Sequence, residues 1–82
     1  MPRYLVEGYV ADAPAAHAEA REQAHRAGLL GRGVRHVRTT FLPTDEVALH
    51  VFDAPSVAAL QRAGRLAALN YERIVEAKED EI

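Results

Sequence analysis

Residues Tyr4 to Val10 alternate in character, with Tyr4, Val6, Gly8 and Val10 on one side and Leu5, Glu7 and Tyr9 on the other. That period of two belongs to a pleated strand. The period then lengthens: Ala13, Ala16, Ala20, Ala24 and Ala27 recur at helical spacing. Asp12 offers a capping oxygen, Pro14 suits a first helical turn, and Gly28 supplies a stop. The helix so predicted has an alanine face, which permits close approach to a neighbour but buries less area per residue than leucine would.

The stretch from Gly28 to Gly33 carries three glycines and reads as a loop. Its GLLGRG string follows a helix and precedes a strand, the reverse of the order that aims amide groups at a phosphate. Val34 to Leu42 predicts a second strand, with Val37, Thr39 and Phe41 on one side and His36, Arg38 and Thr40 on the other. Pro43, Thr44 and Asp45 turn the chain. Val47, Leu49 and Val51 then alternate with Ala48, His50 and Phe52, giving a third strand and a hairpin. Ser56 is a plausible cap for a second helix with Val57, Leu60, Gly64 and Ala67 as its inner stripe. Asn70 breaks that pattern, and Glu72 to Ala77 returns to a strand before an acidic tail at 79–82.

The order βαββαβ is that of an α+β, ferredoxin-like fold: four antiparallel strands with both helices on one face. At 82 residues the chain is expected to be a single domain, 1–82, which excludes a multidomain enzyme. Ten basic and twelve acidic side chains give a formal charge of −2. Without Glu79, Asp80 and Glu81 the balance is ten against nine, or +1. A folded part so close to neutral argues against nucleic acid or an anionic membrane as partner, because neutralising phosphates needs clustered Lys and Arg. The absence of cysteine removes disulfides, thiolate metal sites and a cysteine nucleophile. With no signal-peptide core and no membrane-length apolar run, a cytoplasmic location is expected.

If Val6, Val37, Phe41, Val47, Leu49 and Val51 face the helices, the open face carries Leu5, Glu7, Tyr9, His36, Arg38, Thr40, Ala48, His50 and Phe52. Leu5, Tyr9, Ala48 and Phe52 would form an exposed apolar patch, the mark of an interface or a ligand groove. A homodimer or higher homo-oligomer joined through this face would enclose Glu7, His50 and His36 in a cavity, with space for a small ligand. Neutral imidazole suits nickel, zinc or copper, and a carboxylate can complete such a site, so His50, His36 and Glu7 are the candidate metal ligands. A plainer reading pairs Glu7 with Arg38 and gives His50 an ordinary hydrogen bond. His17 and His25 lie on the first helix, are not spaced as an i, i+4 chelating pair, and read as solvated or helix-edge residues.

The opening Tyr4-Leu5-Val6-Glu7, the run from Val34 to Arg38 leading to a turn with Asp45, the segment from His50 to Pro55 and the close Arg73-Ile74-Val75-Glu76 resemble a bacterial ferredoxin-like family, domain of unknown function 4242. Its members are often described as nickel-binding or nickel-responsive. The resemblance implies a dimer of ferredoxin-like subunits and a nickel or similar divalent transition-metal site lined by the residues just discussed, with no organic cofactor. Arg38 stands where members commonly have a histidine, and a charged guanidinium does not ligate a metal.

Two functions are therefore expected. One is a small dimeric metal-binding protein with its ligands in the sheet-face cavity. The other is a ligand-binding protein or cofactor-free enzyme of isomerase or cyclase type using the same cavity. There Glu7 or His50 would serve as general base, and Tyr9 or Arg38 would hold a developing oxyanion.

Overall fold

The computed structural model describes residues 1–80, so of the acidic tail Glu81 and Ile82 lie outside the described residues. The elements are β1 (Arg3–Tyr9), α1 (Pro14–Leu30), β2 (Arg35–Leu42), β3 (Val47–Asp53), α2 (Val57–Leu66) and β4 (Arg73–Ala77). The strands form one sheet in the order β2-β3-β1-β4, every neighbouring pair antiparallel. This is the ferredoxin-like arrangement expected from the order of periods.

The two helices begin and end for different reasons. Ser56 caps α2, its hydroxyl accepting from the Ala59 amide at 3.1 Å. Asp12 does not cap α1. The N-cap is Ala13, with no side-chain bond, while the Asp12 amide donates to the Glu46 carboxylate at 3.2 Å. Pro14 at the first turn removes one amide that would otherwise need a partner. Gly28 does not stop the helix either, which runs to Leu30 and closes with the Gly31 amide on the Ala27 carbonyl at 2.9 Å. The expected alanine face is real: Ala20, Ala24 and Ala27 are buried. On α2 the inner face is Ala59, Leu60, Ala63 and Gly64, continued by Ala67, whereas Val57 points outward.

Strand parity divides the sheet differently from the expectation. On β1, Tyr4, Val6 and Gly8 are buried beneath the helices and Leu5, Glu7 and Tyr9 face away, as read. Across β3 their partners are Phe52, His50 and Ala48, so these three point into the core and Val47, Leu49 and Val51 lie on the open face. The assignment of Ala48, His50 and Phe52 to the open face is thus overturned by the register. Phe52, Leu60, His50 and Val6 are the largest fully buried side chains.

A β-bulge between His36 and Arg38 changes the parity within β2. His36 pairs with Phe52, Thr39 with His50 and Phe41 with Ala48, all on the helix side, while Arg38 opposite Val51 and Thr40 opposite Leu49 lie on the open side. Unbroken alternation would have placed His36 with Arg38. The extra residue at the bulge turns it to the other face.

Candidate functional site

His36, Thr39 and His50 meet in the layer between α1 and the sheet. The Thr39 hydroxyl lies 2.8 Å from His36 Nε2 and 2.8 Å from His50 Nδ1, so one oxygen joins two imidazoles. The rings stand 6.1 Å apart between centroids at an interplanar angle of 70°, and Phe52 lies against both. The Thr39 hydroxyl has one proton to give, so it can donate to one ring only and must accept from the other; the tautomers of His36 and His50 decide which.

Both rings are held neutral. His50 is 1% exposed, and burial, reinforced by repulsion from His36, pushes its pKa down to about 4. His36, half-buried, is shifted down chiefly by desolvation, opposed by the Arg38 main chain and assisted by His25. His25 approaches from α1, and together with Gly28, Leu29, Val34, Arg35 and His36 it lines a surface cavity of about 220 Å³. Gly28 makes that approach possible, because a Cβ there would lie 2.9 Å from the His36 amide nitrogen. Further along the same helix His17 stacks on Phe41, with 4.3 Å between centroids and 18° between planes. The reading of His17 and His25 as solvated or helix-edge residues fits: His25 is exposed, and His17 lies half-buried at the helix edge against Phe41.

The set Glu7, His36 and His50 is not brought together. Glu7 follows Val6, the partner of His50, and so projects from the opposite face of the sheet. There it accepts from Arg73 Nε at 3.0 Å across β4 and not from Arg38. Tyr9 and Arg38 share the open face with Glu7, so the catalytic constellation of Glu7, His50, Tyr9 and Arg38 is likewise divided by the sheet. Among the described residues no group of three or more His, Asp or Glu side chains converges in a metal-holding arrangement.

Two residues with a part in these polar clusters escaped the sequence reading. Thr39 looked like an ordinary β-branched strand residue, and only its pairing opposite His50 marks it. Asp53 closes one end of the open face: its carboxylate accepts from Arg3 Nε at 2.8 Å, Arg3 Nη2 at 3.2 Å and Arg35 Nη2 at 2.8 Å. These charge-assisted bonds draw the Asp53 pKa down to about 2. Register partners on both sides, Arg3 and Arg35, are the signal that reveals it.

The open face is apolar at its centre. Leu5, Leu49 and Val51 lie side by side, flanked by Val47, Leu42 and Val75, with Tyr9 66% exposed at one end. The Arg3–Asp53–Arg35 cluster and the Glu7–Arg73 pair border it with charges already matched. Leu5 and Tyr9 occupy the face as expected. Ala48 and Phe52 do not, and Leu49 and Val51 take their place.

No protein-family model matches the chain, and neither does any curated protein sequence. Among solved structures it is similar to SCO4226 from Streptomyces coelicolor A3(2), with a TM-score of 0.75 and 18% identity over 96% of this chain and 99% of that one. This likeness extends the ferredoxin-like fold over nearly the whole chain. Among the described residues no helix is long and apolar enough to cross a membrane.

Proposed function

We propose that the chain is a small homodimeric protein that binds a divalent transition-metal ion of the nickel, copper or zinc class through His36 and His50. The supporting observation is the convergence of two neutral imidazoles on the Thr39 hydroxyl, each nitrogen 2.8 Å from its oxygen. Imidazole binds these metals through an unprotonated nitrogen, and a His50 pKa near 4 keeps that form available at neutral pH. Glu7 is not part of this site. To present Nε2 of His36 and Nδ1 of His50 to an ion, each ring must carry its proton on its other nitrogen and the Thr39 hydroxyl must give way or join as a third donor atom. Two protein nitrogens leave coordination positions for water or a small exogenous ligand; the surface cavity beside His25 reaches the His36 ring, and an ion would have to pass that ring to meet the buried His50.

Dimerisation is proposed through the open face. Leu5 and Leu49, with the exposed Tyr9 and Val75, would come off water against a second copy around the already buried Val51. The matched charges at the border need not be buried unpaired, and Arg38 opposite Val51 would take a carboxylate or water at the interface. The helix layer, with the histidine pair, would remain on the outside of such a dimer.

Isothermal titration of tag-free protein with nickel chloride and with zinc chloride tests the metal reading. Binding tighter than millimolar is expected, lost in His36→Gln and unchanged in Glu7→Gln. No binding tighter than millimolar, or binding indifferent to His36, would overturn it.

A further inference from the structure

We propose that the groove between the end of α1 and α2 is a docking site for an acidic protein segment carrying an apolar side chain. The inference goes beyond the metal reading and is independent of it, since the groove touches neither His36 nor the open face. Its walls are Leu30, which is 50% exposed, and Leu66, which is 66% exposed, around a cavity of about 200 Å³. The floor lies where the end of α1 comes close to α2: there is no room for a side chain on Gly31, since a Cβ there would lie 2.5 Å from the Ala63 Cβ, and the exposed Leu30 and Leu66 stand beside this close approach.

The charge around this groove has one sign. Arg32 and Arg62 line it, and Arg65 borders the adjoining surface beside Arg62 and Leu66. No acidic residue occurs from Ala27 to Leu42 or from Ser56 to Tyr71, the two stretches that build it. Of the other basic side chains, Arg3, Arg26, Arg35, Arg73 and Lys78 each reach a carboxylate at 2.8 to 3.7 Å, while Arg21 and Arg38 stand singly, apart from the groove and from each other. Among the described residues Arg32, Arg62 and Arg65 reach none. A chain of net charge −2 has thus gathered three unmatched arginines beside two exposed leucines.

Carboxylates on a partner segment would pair with those guanidinium groups, in bidentate fashion where geometry allows, while one apolar side chain settles between Leu30 and Leu66. The cavity is small for an organic ligand of ordinary size and suits a single aliphatic side chain, which favours a peptide segment over a free small molecule. Arginine at the border supplies orientation and salt-sensitive attraction, and the leucines supply the buried contact.

The test is a titration of the isotope-labelled full chain, followed by amide NMR shifts, with a synthetic peptide of alternating glutamate pairs and single leucines. A control peptide has every glutamate replaced by glutamine. Shifts are expected at Leu30, Arg32, Arg62 and Leu66, with affinity falling at least tenfold for the glutamine peptide and in Arg62→Gln. Raising salt from about 50 to 500 mM should weaken binding severalfold, as screening of exposed charges requires. Arg62 is an exposed helix residue, so its variant should keep the wild-type spectrum elsewhere. Equal binding of both peptides, shifts confined to other surfaces, or no shifts at millimolar peptide would overturn the proposal. Concentration-dependent shifts at Leu30 and Leu66 without peptide would do so too, since they would show the groove filled by a second copy.

Discussion

Gly28 and His36 meet where α1 comes down onto the edge of the sheet, with a Cβ on Gly28 predicted to lie 2.9 Å from the His36 amide nitrogen and 3.1 Å from its Cβ. Gly28 sits inside the helix, where alanine would ordinarily gain about 1 kcal/mol from helix propensity. The steric cost works the other way. Gly28→Ala must push α1 off His36, and overpacking of this kind costs about 1–3 kcal/mol. A net loss of stability in urea denaturation is expected, together with shifted His36 ring resonances; a more stable variant would show that the helix lifts away freely.

The histidine pair makes the fold acid-sensitive. The His50 pKa falls from 6.5 in the unfolded chain to about 4 in the folded one, so between those values the unfolded state binds more protons and stability declines as pH drops. The full difference amounts to about 3 kcal/mol. His36 shifts in the same direction. Urea midpoints measured from pH 7.5 to 4 should fall steadily, and His50→Leu, which removes the titrating ring from the core, should flatten most of that slope. A wild-type profile level from pH 7 to 4 would contradict the burial of His50 in its neutral form.

Thr39→Val keeps the shape of the side chain and removes the oxygen shared by two rings. His50 Nδ1 and His36 Nε2 then lose their common partner, at a cost of about 1–3 kcal/mol for groups left unsatisfied in a buried setting. The measurement is chemical denaturation at pH 7.5, where both rings are neutral. Unchanged stability would mean that water replaces the hydroxyl.

At the other end of the sheet, Asp53→Asn should lower stability at neutral pH by about 1–2 kcal/mol, because hydrogen bonds to a charged acceptor are the strong ones. Since the pKa of Asp53 drops from 3.8 in the unfolded chain to about 2 in the folded one, its contribution is present above pH 4 and disappears as pH falls through 2. The variant should therefore converge on wild type in acid. A gap that persists at pH 2 would locate the effect in packing instead of charge.

Leu49→Glu places a carboxylate at the centre of the open face, beside Leu5 and Val51, without entering the core. Each apolar side chain withdrawn from water there contributes about 1.5–3 kcal/mol to association. Light scattering should give twice the monomer mass for wild type at micromolar concentration and the monomer mass for Leu49→Glu. A wild-type monomer would overturn the dimer.

Element types and their order were legible in the sequence because each period is sustained over several residues: alanines at helical spacing in α1, alternation in β1 and β3. Face assignment was not. In β3 both alternating sets, Val47-Leu49-Val51 and Ala48-His50-Phe52, are apolar enough to be buried, and hydrophobicity favours the set that lies outside. The charged Asp53 shares parity with the outer set and was the available discriminator. In β2 the bulge cannot be seen in the alternation itself, since Val37 is a good strand residue whichever way it points. These two local ambiguities account for the misplaced site: they moved His36 and His50 together to the face of Glu7, preserving their proximity to each other and inventing their proximity to the carboxylate. Helix ends failed for a similar reason: Asp12 has the chemistry of a cap, but the N-cap position falls on Ala13 and the Asp12 carboxylate lies 3.7 Å from His17 Nε2, while Gly28 has the chemistry of a stop but serves the close approach to His36.

The bulge also determines where this chain tolerates a change of length. Opposite β3, the segment from Arg35 to Leu42 uses one residue more than regular pairing requires, and the surplus falls at Val37. Removing Val37 leaves His36 and Arg38 alternating normally, each on its present face. Removing Thr39, Thr40 or Phe41 instead would exchange the faces of everything on one side of the cut, delivering arginines to the core or the histidine to solvent. In β2, then, a single-codon deletion is silent for facial chemistry at the bulge and inverting elsewhere, and that position is where the strand can shorten without rewriting what each surface presents.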